Sequence, residues 1–117
     1  MTAIELETEI ESDINTCFDL TRNIDIHQLS TQKTNERAIA GRTSGLCELG
    51  DKITWEASHL GFRQQLSVEI TKFEKPFFFE DKMTKGTFKL MRHEHHFKEL
   101  HGRTVMIDRL EYEVPFG

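Results

Sequence analysis

Three short stretches put ionisable groups where a folded chain would want apolar ones. In Met91-Arg92-His93-Glu94-His95-His96-Phe97, His93 and His95 fall in phase with Met91 and Phe97. Asp108 falls in phase with Met106, Leu110 and Tyr112, and Asp81 with Phe79 and Met83. Side chains two apart on a strand share a face. An apolar face that also carries imidazoles and carboxylates lines a cavity more often than a dry core, because a buried polar group needs a partner. Several chemistries are open to such groups. An imidazole beside a carboxylate is an acid–base pair. The same two residues can form a buried ion pair, or the carboxylate can tie down a loop N–H. His-x-His on a strand can also supply two ligands to a metal, with His59 or Asp108 as a third. No fixed spacing supports a third ligand, so these histidines are read as hydrogen-bonding pocket groups. No metal and no cofactor is expected, and no residue is assigned a catalytic role. His93, His95 and Asp108 are the candidates should there be one.

The elements that must position these residues follow from periodicity. Ile4, Leu6, Thr8 and Ile10 alternate with four glutamates, which predicts a half-buried strand with an acidic outer face. Ser12 is a suitable N-cap for a short helix over Asp13–Thr21, and a second short helix is expected to end near Ser30. Strands are then expected almost continuously: Glu36–Arg42, Lys52–His59, Phe62–Phe73, Phe77 to Met83, Thr87–Glu99 and Thr104–Phe116. In the first of these, Ala38 and Ala40 share a face. Leu60-Gly61 is read as a hairpin turn. A slip of phase between Ile70 and Phe73 predicts a bulge. Hairpin-linked strands in this order make an antiparallel meander. The cavity wall would then hold Trp55, Phe77, Phe79, Met91 and Phe97. Met106, Leu110 and Tyr112 would continue it. His59, Asp81, His93, His95 and Asp108 would orient a ligand's polar groups. Arg92, Glu94 and His96 should face the other way, with Glu111 and Glu113, as a charged outer ladder.

Composition narrows the functional classes. The chain has 117 residues, 37% hydrophobic and 30% charged, which suits one globular domain. Fifteen basic against twenty acidic residues, without a basic stripe, argue against nucleic acid as a partner. No apolar run approaches the ~20 residues of a spanning helix, and no signal peptide opens the sequence. The two cysteines, Cys17 and Cys47, have no CxxC spacing and are read as reduced thiols of a cytoplasmic protein. There is no glycine-rich phosphate loop and no nucleophile elbow.

Four stretches carry a likeness to a known group. They are Ile39-Ala40-Gly41-Arg42-Thr43-Ser44-Gly45, Lys75-Pro76-Phe77-Phe78-Phe79, Arg92 through Phe97, and Met106-Ile107-Asp108 on to Tyr112-Glu113-Val114-Pro115-Phe116-Gly117. Together with the order of elements, they make the chain resemble the START-like, or SRPBCC, superfamily over its whole length. Within it, the chain more closely resembles small bacterial ligand-binding members, some of them labelled cell-division inhibitors. The resemblance implies an α+β helix-grip fold: a curved antiparallel sheet of six to seven strands, two short helices between strands one and two, and a long closing C-terminal helix. That helix is missing after Gly117, so residues 1–117 are expected to form one START-like domain that is C-terminally incomplete, or one whose open face is covered by another chain, as in a homodimer. The function implied is a binding or carrier module for a small hydrophobic ligand. Two alternatives are a cyclase or dehydratase using a His–Asp pair, and an interaction protein whose concave face packs on another chain.

Overall fold

Two polar residues start the helices that separate the first strand from the rest. Asp13 caps α1 (Ile14–Thr21) by accepting from Thr16 N at 3.0 Å, and Asn23 caps α2 (Ile24–Ser30) by accepting from Ile26 N at 3.0 Å. The cap of α1 is therefore Asp13 rather than Ser12. Ser12 instead gives its carbonyl to the Thr104 hydroxyl, 2.8 Å away.

The computed structural model describes residues 1–59 and 61–115, and only the backbone of His59. Leu60, in the expected hairpin turn, Phe116, Gly117 and the His59 side chain lie outside the described residues. The strands are β1 (Thr2–Ile10), β2 (Arg37–Gly41), β3 (Lys52–His59), β4 (Phe62–Glu74), β5 (Phe78–Lys85), β6 (Leu90–Leu100) and β7 (Arg103–Glu113). They form one antiparallel sheet in the order β1-β7-β6-β5-β4-β3-β2. The last six strands run as a meander, and β1 returns to pair with β7. Among the described residues no helix is long and apolar enough to cross a membrane.

The expected alternation holds along β6 and β7. Directly paired residues form rows across the concave face. One row runs Ile70, Asp81, His93, Leu110 and Ile4, and the next runs Phe73, Phe79, His95, Asp108 and Leu6. The bulge expected after Ile70 is present as a register shift between Ile70 and Lys72. On the convex face Arg92 donates to Glu111 at 2.6 Å, and Arg109 bonds Glu111 at 3.0 Å. The charged ladder expected there is formed.

Four further expectations need correction. A register shift between Ala38 and Ala40 pairs Ala38 with Trp55 and Ala40 with Thr54, so these two alanines face opposite ways. Phe77 lies in the turn before β5, where strand alternation does not apply, and it is 59% exposed. β7 stops at Glu113, because Pro115 has no N–H with which to continue a ladder. β1 is not half-buried: Ile4 and Leu6 point to the concave side but stay 52% and 61% exposed, since α1 packs over the strands from β4 to β7 rather than over β1.

The core is an aromatic cluster beneath α1. Phe18 is fully buried and meets Phe73, Phe79 and Phe97 edge-on at centroid distances of 5.4, 5.4 and 5.2 Å. Arg22 is buried with its guanidinium over Phe18 and Phe73, bonded to Asp19 and to the carbonyl of Cys47. Both cysteines are free and buried, and burial pushes the Cys47 thiol up to about 11. Phe18→Ala should cost about 3–5 kcal/mol in urea-unfolding free energy, because it empties the contact point between α1 and three strands. A loss under about 1 kcal/mol would show that α1 is not anchored there.

Candidate functional site

Adjacent strands hand their polar groups to one spot on the concave face. β6 supplies His93 and His95, β5 supplies Asp81, and β7 supplies Asp108. Each imidazole sits beside a carboxylate because the register pairs Asp81 with His93 and His95 with Asp108. His93 Nε2 and Asp108 Oδ1 are hydrogen-bonded at 3.1 Å. His95 Nδ1 lies 3.1 Å from the same oxygen, and its Nε2 lies 3.4 Å from Asp81 Oδ1. These last two approaches lack hydrogen-bond angles. They are ion contacts, and His95 Nδ1 and Asp81 Oδ1 have no directed partner among the described residues. The Phe79 ring stacks on one face of His95 at 4.2 Å, and the His93 ring lies 3.9 Å from it.

The electrostatics follow from this geometry. Burial is the largest influence on His95 and disfavours its charge, but the contacts with Asp108 and Asp81 outweigh it and raise the imidazole from 6.5 to about 9. Burial is also the largest influence on Asp108, in the opposite sense to its partners. His93 and His95 prevail and hold its carboxyl far below the usual carboxylate range.

Two adjoining hollows open beside this cluster. The one over the polar groups has a volume of about 210 Å³, and Trp55, Phe79, Asp81, His93, His95 and Asp108 are in its wall. Its neighbour, about 340 Å³, is walled by Trp55, Leu66, Val68, Phe88, Met91 and Leu110, among others. Trp55, Val68, Asp81, His93 and His27 belong to both. The larger hollow falls within the roughly 300–1,000 Å³ of small-molecule sites.

Eight of the residues singled out from the sequence thus stand around the hollows: Trp55, Phe79, Asp81, Met91, His93, His95, Asp108 and Leu110. Four stand elsewhere. Phe77 lines a groove with Phe78, His96 and Ile107, which does not include the polar cluster. Phe97 is taken up by Phe18, Met106 receives a weak contact from the Thr21 hydroxyl at 3.9 Å, and Tyr112 packs on Phe88. The last three share the concave face, but helix α1 or a neighbouring ring fills the space in front of them.

The helix side of the cavity was not anticipated. His27 on α2 packs on Trp55 at 4.4 Å and is held by Glu36 at 2.9 Å. The β2–β3 connection fixes α2 there: Gly45 O accepts from Ile24 N, Arg22 O accepts from Cys47 N, and Asp25 accepts from Gly45 N, each within 3.0 Å. A lone histidine on a weakly patterned helix carries no signal of this role.

No family model and no curated protein matches the sequence. Solved structures do. The chain is similar to ginseng major latex-like protein 151 from Panax ginseng, with a TM-score of 0.74 and 16% identity over 99% of this chain and 81% of that one. It is similar to TTHA0849 from Thermus thermophilus, with a TM-score of 0.77 and 14% identity over 98% and 77%. CalU16 from Micromonospora echinospora aligns with a TM-score of 0.65 and 11% identity, over 97% of this chain and 62% of that one. The chain therefore shares the α+β helix-grip fold of these structures, a curved antiparallel sheet with two short helices between its first two strands.

The His95 shift has a testable sign. Its folded-state pKa is raised, so its stabilisation is full below about 6.5 and is lost as pH rises through about 9. The urea midpoint of chelator-treated protein should fall across that window, and His95→Gln should flatten the fall. Superimposable pH profiles for the two proteins would contradict the ion contacts described. The depressed Asp108 acts at the other end: its contribution is present above about 3.8 and is lost as pH falls below it.

Proposed function

We propose that this protein binds a small, mainly apolar molecule in the two hollows, with the molecule's polar end directed at His93, His95, Asp81 and Asp108. One observation carries the reading. Two imidazoles and two carboxylates stand together in the wall of a largely apolar cavity, and a buried imidazole nitrogen and a buried carboxylate oxygen among them lack directed partners. Groups of that kind need hydrogen bonds, and a ligand or water entering the cavity can provide them. The apolar wall from Trp55 to Leu110 supplies the affinity, and the polar cluster supplies orientation. A carrier or binding module fits this division best.

A second reading has one observation in its favour. His93 and Asp108 converge to hydrogen-bond distance in the cavity wall. That is the orientation an acid–base histidine needs, as in a cyclase or dehydratase. Only the enzymatic reading has the bound molecule leave chemically changed.

Trp55 is the only tryptophan, so its emission reports on occupancy. Titration with 1-anilinonaphthalene-8-sulfonate should quench it saturably at one site. Met91→Ala should weaken binding about tenfold, and Trp55→Ala, followed through the probe's own emission, should do the same or more. Phe77→Ala should leave the affinity unchanged, because Phe77 is outside the hollows. Equal affinities for wild type, Trp55→Ala and Met91→Ala would refute the binding site.

A further inference from the structure

The polar cluster also has the composition and spacing of a metal site. One ring nitrogen of His93, one of His95 and a carboxylate oxygen of Asp81 all lie within 4.8 Å of one another. Zinc bonds to histidine nitrogen and carboxylate oxygen at about 2.0–2.2 Å, so ligand atoms around a tetrahedral ion stand about 3.3–3.5 Å apart. His95 Nε2 and Asp81 Oδ1 are already 3.4 Å apart. The sequence pointed to His-x-His but placed the third ligand on His59 or Asp108. The structure brings Asp81 instead, from the strand on the other side of β6 from Asp108.

Asp108 has a different place in this arrangement. It contacts His93 Nε2 and His95 Nδ1 through a single oxygen. In metal sites a histidine commonly gives its second ring N–H to a carboxylate, which fixes the ring and makes the ligating nitrogen more basic. His93 is hydrogen-bonded to Asp108 in this way; His95 Nδ1 lies 3.1 Å from the same oxygen without hydrogen-bond angles, and its Nε2 faces Asp81. Charge supports the same reading. Two carboxylates and two imidazoles share a largely apolar pocket, and a divalent cation would balance both carboxylates with the imidazoles neutral.

We propose that Asp81, His93 and His95 bind a divalent transition-metal ion of the zinc type, oriented by Asp108, with the fourth coordination position open to the cavity. That open position is where the polar end of a bound molecule would coordinate. The donor set also excludes magnesium and calcium as favoured occupants, since both take mainly oxygen ligands. The proposal uses the same cavity as the apolar-ligand reading but does not depend on it.

The test uses untagged, chelator-stripped protein. Zn2+ should bind with one equivalent by calorimetry, and Co2+ should give the strong visible bands of a tetrahedral ion. Asp81→Asn and His93→Ala should each weaken Zn2+ binding by about a hundredfold or more, and Asp108→Asn by about 10–100-fold. His101→Ala, at the β6–β7 turn, should leave it unchanged. Circular dichroism of each variant separates loss of ligation from loss of fold, and Asp81→Asn is isosteric should His93→Ala not fold. A six-coordinate Co2+ spectrum, or Asp81→Asn protein that binds Zn2+ like wild type, would overturn the proposal. Binding of 1-anilinonaphthalene-8-sulfonate by the zinc-free protein is read separately. Its survival alongside a failed metal test would remove the metal site and leave the apolar-ligand reading standing.

Discussion

His95 sets the terms for the concave face. An imidazole buried among apolar side chains is costly to charge, and an unpaired carboxylate beside it is costlier still. The chain meets this by bringing carboxylates from two different strands to one ring: Asp81 from β5 and Asp108 from β7. That arrangement requires the registers of β5, β6 and β7 to be fixed together. A slip of one residue on either side would turn a carboxylate to the convex face and take it away from the imidazole. Phe79, stacked on His95, ties the polar cluster to the aromatic core as well. Stability and site geometry thus rest on the same three strands.

The rest of the molecule determines how much of that face is open. α1 fills one part with Phe18, so Phe97 and Met106 become core. α2 is held off the sheet by the β2–β3 connection and leaves the two hollows between His27, Trp55 and the polar cluster. Trp55, Val68, Met91 and Leu110 in that wall are core-type residues, and the open space in front of them makes it a cavity. Pockets and cores are built from the same residues, and what differs is whether another side chain occupies the space in front of them.

That is also why the sequence could be read only so far. A strand's period of two is strict, so alternation alone puts Asp81, His93, His95 and Asp108 on a shared face. The meander and the bulge after Ile70 follow from turn residues and a break in phase, and both were legible. Alternation says nothing of what lies above a face, so Met106, Phe97 and Tyr112 could not be separated from Met91 and Leu110. It fails where the backbone leaves the strand, as at Phe77, or gains a residue, as between Ala38 and Ala40. The place of His27 depends on loop contacts from Gly45 and Cys47, far away in sequence. The pairing of Asp81 with His93 depends on the register across a turn whose geometry the residues alone do not specify.

The central claim is spatial: a small apolar molecule sits between the polar cluster and the wall of Trp55, Val68, Met91 and Leu110. Intermolecular NOE spectroscopy on 13C-labelled protein saturated with 1-anilinonaphthalene-8-sulfonate tests it most directly. The account predicts cross-peaks from the probe's aromatic protons to the methyl groups of Val68, Met91 and Leu110 and to the ring of Trp55. Cross-peaks confined to Phe77 and Ile107, or to Ile4 and Leu6 on the exposed first strand, would contradict it.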